Sequence, residues 1–411
     1  MEEKRNNSKG QFAAGLFAGM AIVIALSIVV VNVAGFLGRT FNTGGVIGTG
    51  SKKSAADQAR ILSKIRSIEA LIDKYYIEDI DSDMEAEGIY YGIVDSLGDE
   101  YSTYYTASEM QRTLEDNAGK YGGIGCYIAY DTDKEYSYVA GIIPGYSAEQ
   151  AGLMSGDIFY KVDGESVMGE SSETVSNLVR GQEGTTVNIT IIRDGEEKDF
   201  TLIRRQVEIK SVSGNIADEK AKIGYIQISS FDIATEEQFY DAMDELEGSG
   251  IEGLIIDLRD NPGGDVDVAT AMASRILPKG LIMYTEDKNG KRDEYNADGK
   301  NVFEKPLVII TNGNSASASE IFAGAVKTRG RGIIVGETTY GKGVVQVVVP
   351  MTDGSAVKLT TAKYYLPDGT CIHGEGIEPD VEIELDLDEY LETGKDNQKE
   401  KAIEVLKEQM K

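Results

Sequence analysis

The stretch Leu307-Val-Ile-Ile-Thr-Asn-Gly-Asn-Ser-Ala-Ser-Ala-Ser-Glu-Ile-Phe-Ala-Gly-Ala325 most constrains what this chain can become. A short, wholly apolar run stops at a polar turn, and small and apolar residues then resume at helical spacing. The pattern predicts a buried strand over Pro306–Thr311, a serine-rich turn, and a helix over Ala318–Val326. A strand apolar on both faces needs layers above and below it. The flanking sequence supplies them, with strands over Lys222–Ile228 and Gly253–Leu258 and helices over Glu236–Leu246 and Val266–Ile276. Residues 206–385 therefore predict an α/β layered core with parallel strands.

The 411 residues are too many for one ordinary domain, and the rest of the chain changes character. Phe12 to Leu37 is strongly apolar, with no charged residue between Gly10 and Gly38, and Lys4, Arg5 and Lys9 precede it. That length suits one bilayer crossing, and the preceding charges predict a cytoplasmic N-terminus with the remainder exported. Residues 1–38 thus read as a cytoplasmic end and an uncleaved transmembrane anchor, and 39–55 as a linker. Residues 56–118 read as a helical arm, with Ile61, Ile65, Ile68 and Ile72 on one stripe beside Leu62 and Leu71, a face suited to its own domain or to a second copy. Residues 119–205 hold short strands, a helix over Ser172–Val179 and a hairpin turn at Asp194-Gly195. A segment over 386–411 ends in a helix. The net charge of -28, with no offsetting basic stripe, argues against nucleic acid as a partner. One histidine and two cysteines leave too few ligands for an ordinary zinc site, so no metal or other cofactor is expected.

The serine-rich turn carries the chemistry. A serine at a strand-to-helix junction lies near the unpaired amides of the helix, which suit a developing oxyanion. Ser315, Ser317 and Ser319 compete for the role, and each would serve equally well as a plain capping residue. The single histidine, His373, lies in a Gly/Pro-rich loop, so a lysine is the natural base. Lys342, between Gly341 and Gly343 and ahead of an apolar strand, suits the burial that a neutral lysine needs. Gln346 can orient it without raising its pKa as a carboxylate would. Asp257-Leu-Arg-Asp-Asn-Pro-Gly-Gly264 ends a strand in a tight turn, a source of a second amide donor. Ser355-Ala-Val-Lys358 has Ser-x-x-Lys spacing, but its surroundings alternate like a strand, where that motif requires a helix start.

Three of these segments, Asn312 to Glu320, Gly336 to Gln346 and Asp257 to Gly264, together resemble the C-terminal processing peptidases, also called tail-specific proteases. The resemblance extends over nearly everything after the anchor. It implies a multidomain α/β protein: a helical arm, an embedded PDZ domain over 119–205, and a serine protease core of the ClpP/crotonase-like kind over 206–385. It implies Ser317 as nucleophile, Lys342 as base and Gln346 as third member, with oxyanion donors at the Ala318 amide and at that of Gly263 or Gly264. In the PDZ domain it implies a loop at Gly122, Gly123, Ile124 and Gly125 that holds the carboxylate of a substrate tail, with Arg180 as a further binding or regulatory candidate. Protein or peptide substrates with free C-terminal tails follow as partners. A scaffold with an inactive core is the competing reading.

Overall fold

The computed structural model describes residues 55–411; the apolar run expected to cross a membrane lies outside the described residues. Among the described residues no helix is long and apolar enough to do so. They form two compact units, one of Gln111–Val344 with Lys363–Lys411, the other of 55–110 with Val345–Ala362.

The first unit contains a six-stranded sheet in the order Val212–Asp218, Ile223–Ile228, Gly253–Asp257, Leu307–Thr311, Ile333–Gly336, Val381–Glu382. Its first pair is antiparallel and every later pair parallel. Gly253–Asp257 and Leu307–Thr311 are buried at every position, as strands covered on both faces must be. The C-terminal helix Asn397–Gln409 sets Ala402, Val405 and Leu406 into one cluster with Ile223, Ile255, Val308, Ile310 and Val335. The parallel arrangement, and with it the helix Ala318–Thr328 after its strand, matches the sequence pattern.

The same unit holds a six-stranded antiparallel sheet, from Cys126–Asp131 at one edge through Tyr136–Ile142, Ile158–Val162 and Thr186–Arg193 to Glu196–Ile203, with the short strand Glu165–Ser166 also paired to Ile158–Val162. Val139, Phe159, Ile189 and Ile191 fill its core with Val175 and Val179 of the helix Ser172–Val179. Ser171 caps that helix by accepting from the Thr174 amide at 3.1 Å. Asp194 and Gly195 turn the hairpin with φ of 55° and 82°. One element differs from expectation: Gly122 and Gly123 are not loop but part of the strand Lys120–Gly123, paired with Arg205–Glu208. A partner more than eighty residues away in the chain supplies that ladder, so no local signal marks it.

In the second unit the helices Ala55–Tyr75 and Ser82–Asp95 lead to a short strand, Thr103–Tyr105, paired antiparallel with Ala356–Lys358. Ile61, Leu62, Ile68 and Leu71 are exposed.

Candidate active site

The strand Leu307–Thr311 ends where Asn312 Oδ1 accepts from the Asp260 amide at 3.0 Å. Asn312 and Asn314 both donate to Asp260 Oδ1, at 2.9 and 2.8 Å, and so fasten the serine turn to the Asp257–Gly264 turn. That second turn is itself held from below. Asp257 is fully buried, accepts from the Tyr225 hydroxyl at 2.5 Å, and pairs with Arg259, which also reaches Asp396 at 2.7 Å. Burial pushes the Tyr225 hydroxyl pKa up, and the Asp257 charge adds to it. Burial works against the Arg259 cation, but its hydrogen bonds to Asp257 and Asp396 outweigh this and hold its pKa above the usual range.

The three serines separate by their partners. Ser315 Oγ donates to the Leu258 carbonyl at 2.8 Å and accepts from the Asn312 amide at 3.0 Å. Ser319 Oγ donates to the Asn261 carbonyl at 2.9 Å. Both hydroxyls are thus committed to the neighbouring turn. Ser317 Oγ is buried and has no hydrogen-bond partner among the described residues. Its backbone has φ 55° and ψ -113°, a sparsely populated conformation for a residue with a side chain. Such strain is the mark of a sharp strand-to-helix elbow that projects its side chain. Ala318 begins the helix, so its amide is among those with no intrahelical acceptor.

Glu320 joins this elbow to the lysine segment. Its buried carboxyl accepts from the Ser317 and Lys342 amides through Oε2, at 2.8 and 2.9 Å. Oε1 accepts from the Gly341 amide at 2.7 Å and the Thr339 hydroxyl at 2.6 Å. Burial raises its pKa, against the pull of these four donors. Sequence reading assigned Glu320 no role; a glutamate three residues after a helix-capping position is the one signal that pointed to it. Lys342 is 3% exposed. Its flanking glycines permit close crossing of the loop near His373: a Cβ on Gly343 would lie 2.5 Å from the His373 nitrogen, and Gly341 has φ 91°.

Gly263 packs against the elbow, where a Cβ would lie 2.8 Å from Ser317 Cβ and 2.9 Å from the Ala318 nitrogen. The Gly263 amide, however, donates to Asn261 Oδ1 at 2.9 Å. Gly264 has φ 143°, and a Cβ there would strike the Phe231 carbonyl at 2.3 Å. Gln346 is fully buried in the second unit, where its Nε2 donates to Thr360 Oγ1 at 3.2 Å and its Oε1 has no partner.

In the antiparallel domain, Gly122 O accepts from the Gly181 amide at 3.0 Å and Ile124 O from the Ala148 amide at 2.8 Å. Gly125 has φ 81° and abuts Tyr146. Arg180 donates to Asp116 at 3.1 Å, and its guanidinium stacks 4.1 Å from the Tyr121 ring centroid.

Comparison with known proteins accords with this architecture. The family model for peptidase family S41 matches residues 222–383, and a PDZ domain model matches 138–193. The carboxy-terminal processing protease CtpA of Bacillus subtilis is 36% identical over 347 residues, covering 84% of this chain and 73% of that protein. A CtpA-like serine protease of Staphylococcus aureus is 36% identical over 332 residues, covering 80% of this chain and 66% of its own length. An S41 protease structure from Bacteroides fragilis shares the fold, with a TM-score of 0.50 at 18% identity, covering 81% of this chain and 92% of that one. The chain thus belongs to peptidase family S41, the carboxy-terminal processing serine proteases, and carries a PDZ domain within it.

Proposed function

We propose that this protein is an exported, membrane-anchored endopeptidase that cleaves tail-bearing protein substrates with a Ser317/Lys342/Gln346 triad. The observation that carries the reading is the separation of the serines: only Ser317, at a strained elbow, keeps an uncommitted buried hydroxyl among the three. Ser317 Oγ attacks the scissile carbonyl carbon while its proton passes to the Lys342 amine. The oxyanion is held by the amides of Ala318 and Gly264, since Asn261 already occupies that of Gly263. Lys342 returns the proton to the leaving amine, and water releases the acyl group by the reverse sequence. Gln346 orients the lysine amine through its carbonyl oxygen.

The PDZ domain selects the substrate tail. Cys126–Asp131 is an edge strand, open to addition of a peptide strand, with Ile124 and Gly125 leading into it. The apolar residues 12–37 support anchoring, and the exposed arm stripe supports pairing with a second copy.

A serine-reactive probe and a tail-bearing peptide test the assignment together. Labelling and turnover are both expected to vanish in Ser317→Ala. Near wild-type turnover in that variant, or labelling that maps to Ser315 or Ser319, rejects it.

A further inference from the structure

Gln346 poses a problem of polarity. A primary amide has a donating and an accepting end, and a glutamine that holds an amine through its carbonyl must be kept from turning over. Two strands joined by a short turn carry the answer, with the Met351 amide donating to the Ser355 carbonyl at 2.8 Å beside that turn. Counting back along Val344–Pro350 and forward along Ala356–Tyr365 sets Gln346 opposite Thr360. Gln346 Nε2 donates to Thr360 Oγ1 at 3.2 Å.

Thr360 is fixed in turn by the segment before the strand Thr103–Tyr105. Asp99 accepts from the Ser102 hydroxyl, and that same hydroxyl accepts from the Thr360 amide at 3.0 Å. Burial by itself raises the Asp99 pKa, but the Ser102 hydroxyl and the Tyr101 and Ser102 amides outweigh it and hold the group below its ordinary value. Lys358 adds a positive charge beside it.

An ionised carboxylate only accepts. The single hydroxyl proton of Ser102 therefore points to Asp99, and its oxygen accepts from the Thr360 amide, which pins the Thr360 main chain. So placed, Thr360 Oγ1 accepts from the Gln346 NH2, and Gln346 Oε1 is directed away. That oxygen is the one buried and without a partner. We infer that Asp99 and Thr360 are positioning residues that set the orientation of the Gln346 amide and so present its carbonyl oxygen to the catalytic amine. The inference rests on the triad reading given above, because it acts through Gln346 alone.

Steady-state kinetics on a tail-bearing peptide with the full chain test it. Thr360→Val is expected to lower kcat about 10- to 100-fold with KM within about threefold, the scale of a misplaced catalytic group. Thr360→Ser, which keeps the hydroxyl, is expected to restore kcat to within about threefold of wild type. The double variant Thr360→Val/Gln346→Ala is expected to be no worse than Gln346→Ala, since both changes act at one point. If Thr360→Val does not fold, Asp99→Asn supplies the measurement: an amide tolerates either polarity, and a fall in kcat of about tenfold is expected. Thr360→Val or Asp99→Asn at wild-type kcat while Gln346→Ala is impaired overturns the relay and leaves the triad standing. So does a Thr360→Ser variant as slow as Thr360→Val, or additive loss in the double variant. A Gln346→Ala variant with full activity removes the triad itself and the relay with it.

Discussion

The chain contains two serine and lysine pairs that look alike on paper and differ in the folded protein. Ser355 and Lys358 sit three residues apart, both buried, and burial pushes the Lys358 pKa down to about 8 against the opposing charge of Asp99. By pKa and burial alone that lysine is a fair base. Its serine is not a nucleophile: Ser355 Oγ donates to Asp353 at 2.6 Å, and the residue ends a turn that leads into the strand Ala356–Tyr365 rather than into a helix. Ser317 has the reverse arrangement, with an uncommitted hydroxyl, a strained backbone and a helix starting at the next residue. A perturbed lysine is therefore not enough to make a site; the state of the serine decides. The largest expected effect breaks or sharpens this contrast directly. Lys342→Met is expected to lower turnover of a tail-bearing peptide by about 10³-fold or more, the scale of a lost general base. Lys358→Met is expected to leave it within about threefold. Equal losses in the two variants would erase the distinction.

A smaller effect concerns what holds the first pair together. Glu320 accepts four hydrogen bonds, two of them from the backbones of Ser317 and Lys342. A glutamine of the same shape has one accepting end, so Glu320→Gln sets its NH2 against two donors in either orientation. Each unsatisfied buried donor costs about 1–3 kcal/mol, so an unfolding free energy lower by about 3 kcal/mol is expected. Turnover is expected to fall about 10²-fold through displacement of the elbow and the lysine segment. Denaturant melts and kcat in the same preparation check both. Among the described residues no carboxylate ties the backbones of Ser355 and Lys358 in this way, and a Glu320→Gln protein with unchanged kcat would show that the tie does not matter to the chemistry.

The strand, turn and helix around Ser317 were legible because their signals are local: an apolar run, a polar break, small residues at helical spacing. The helix Ser172–Val179 and the Asp194-Gly195 hairpin were legible for the same reason. What stayed hidden depends on residues distant in the chain. Three serines were equivalent in sequence, and only the Leu258 and Asn261 carbonyls, 57 and 58 residues away, distinguish them. Gly122 and Gly123 read as a turn until Arg205–Glu208 pairs with them. The hairpin Gly280–Asp287 with Arg292–Ala297 left little trace, because its second strand is charged and mostly exposed. The arm stripe has helical periodicity, but Ile61, Leu62, Ile68 and Leu71 are exposed, because periodicity names a face and not what covers it.

The smallest effect isolates the cost of the second lysine. Lys358 is buried beside Asp99 and 5.4 Å from the Tyr105 ring centroid. Its pKa in the folded protein, about 8, lies below the 10.5 of the free side chain. Below pH 8 the amine is charged in both folded and unfolded chains, and the folded state carries the full desolvation cost. Between pH 8 and 10.5 the unfolded chain binds the proton and the folded one does not, so this residue's contribution to stability improves as pH rises. Lys358→Met removes the titration and fills the same space. It is expected to stabilise the protein by about 1–3 kcal/mol at pH 7, after allowance for the lost contacts with Asp99 and Tyr105. That advantage should shrink as pH passes from 8 to 10, measured by denaturant unfolding at several pH values. A constant difference across the range would mean that Lys358 acts through packing rather than charge, and that the likeness between the two buried lysines ends at their burial.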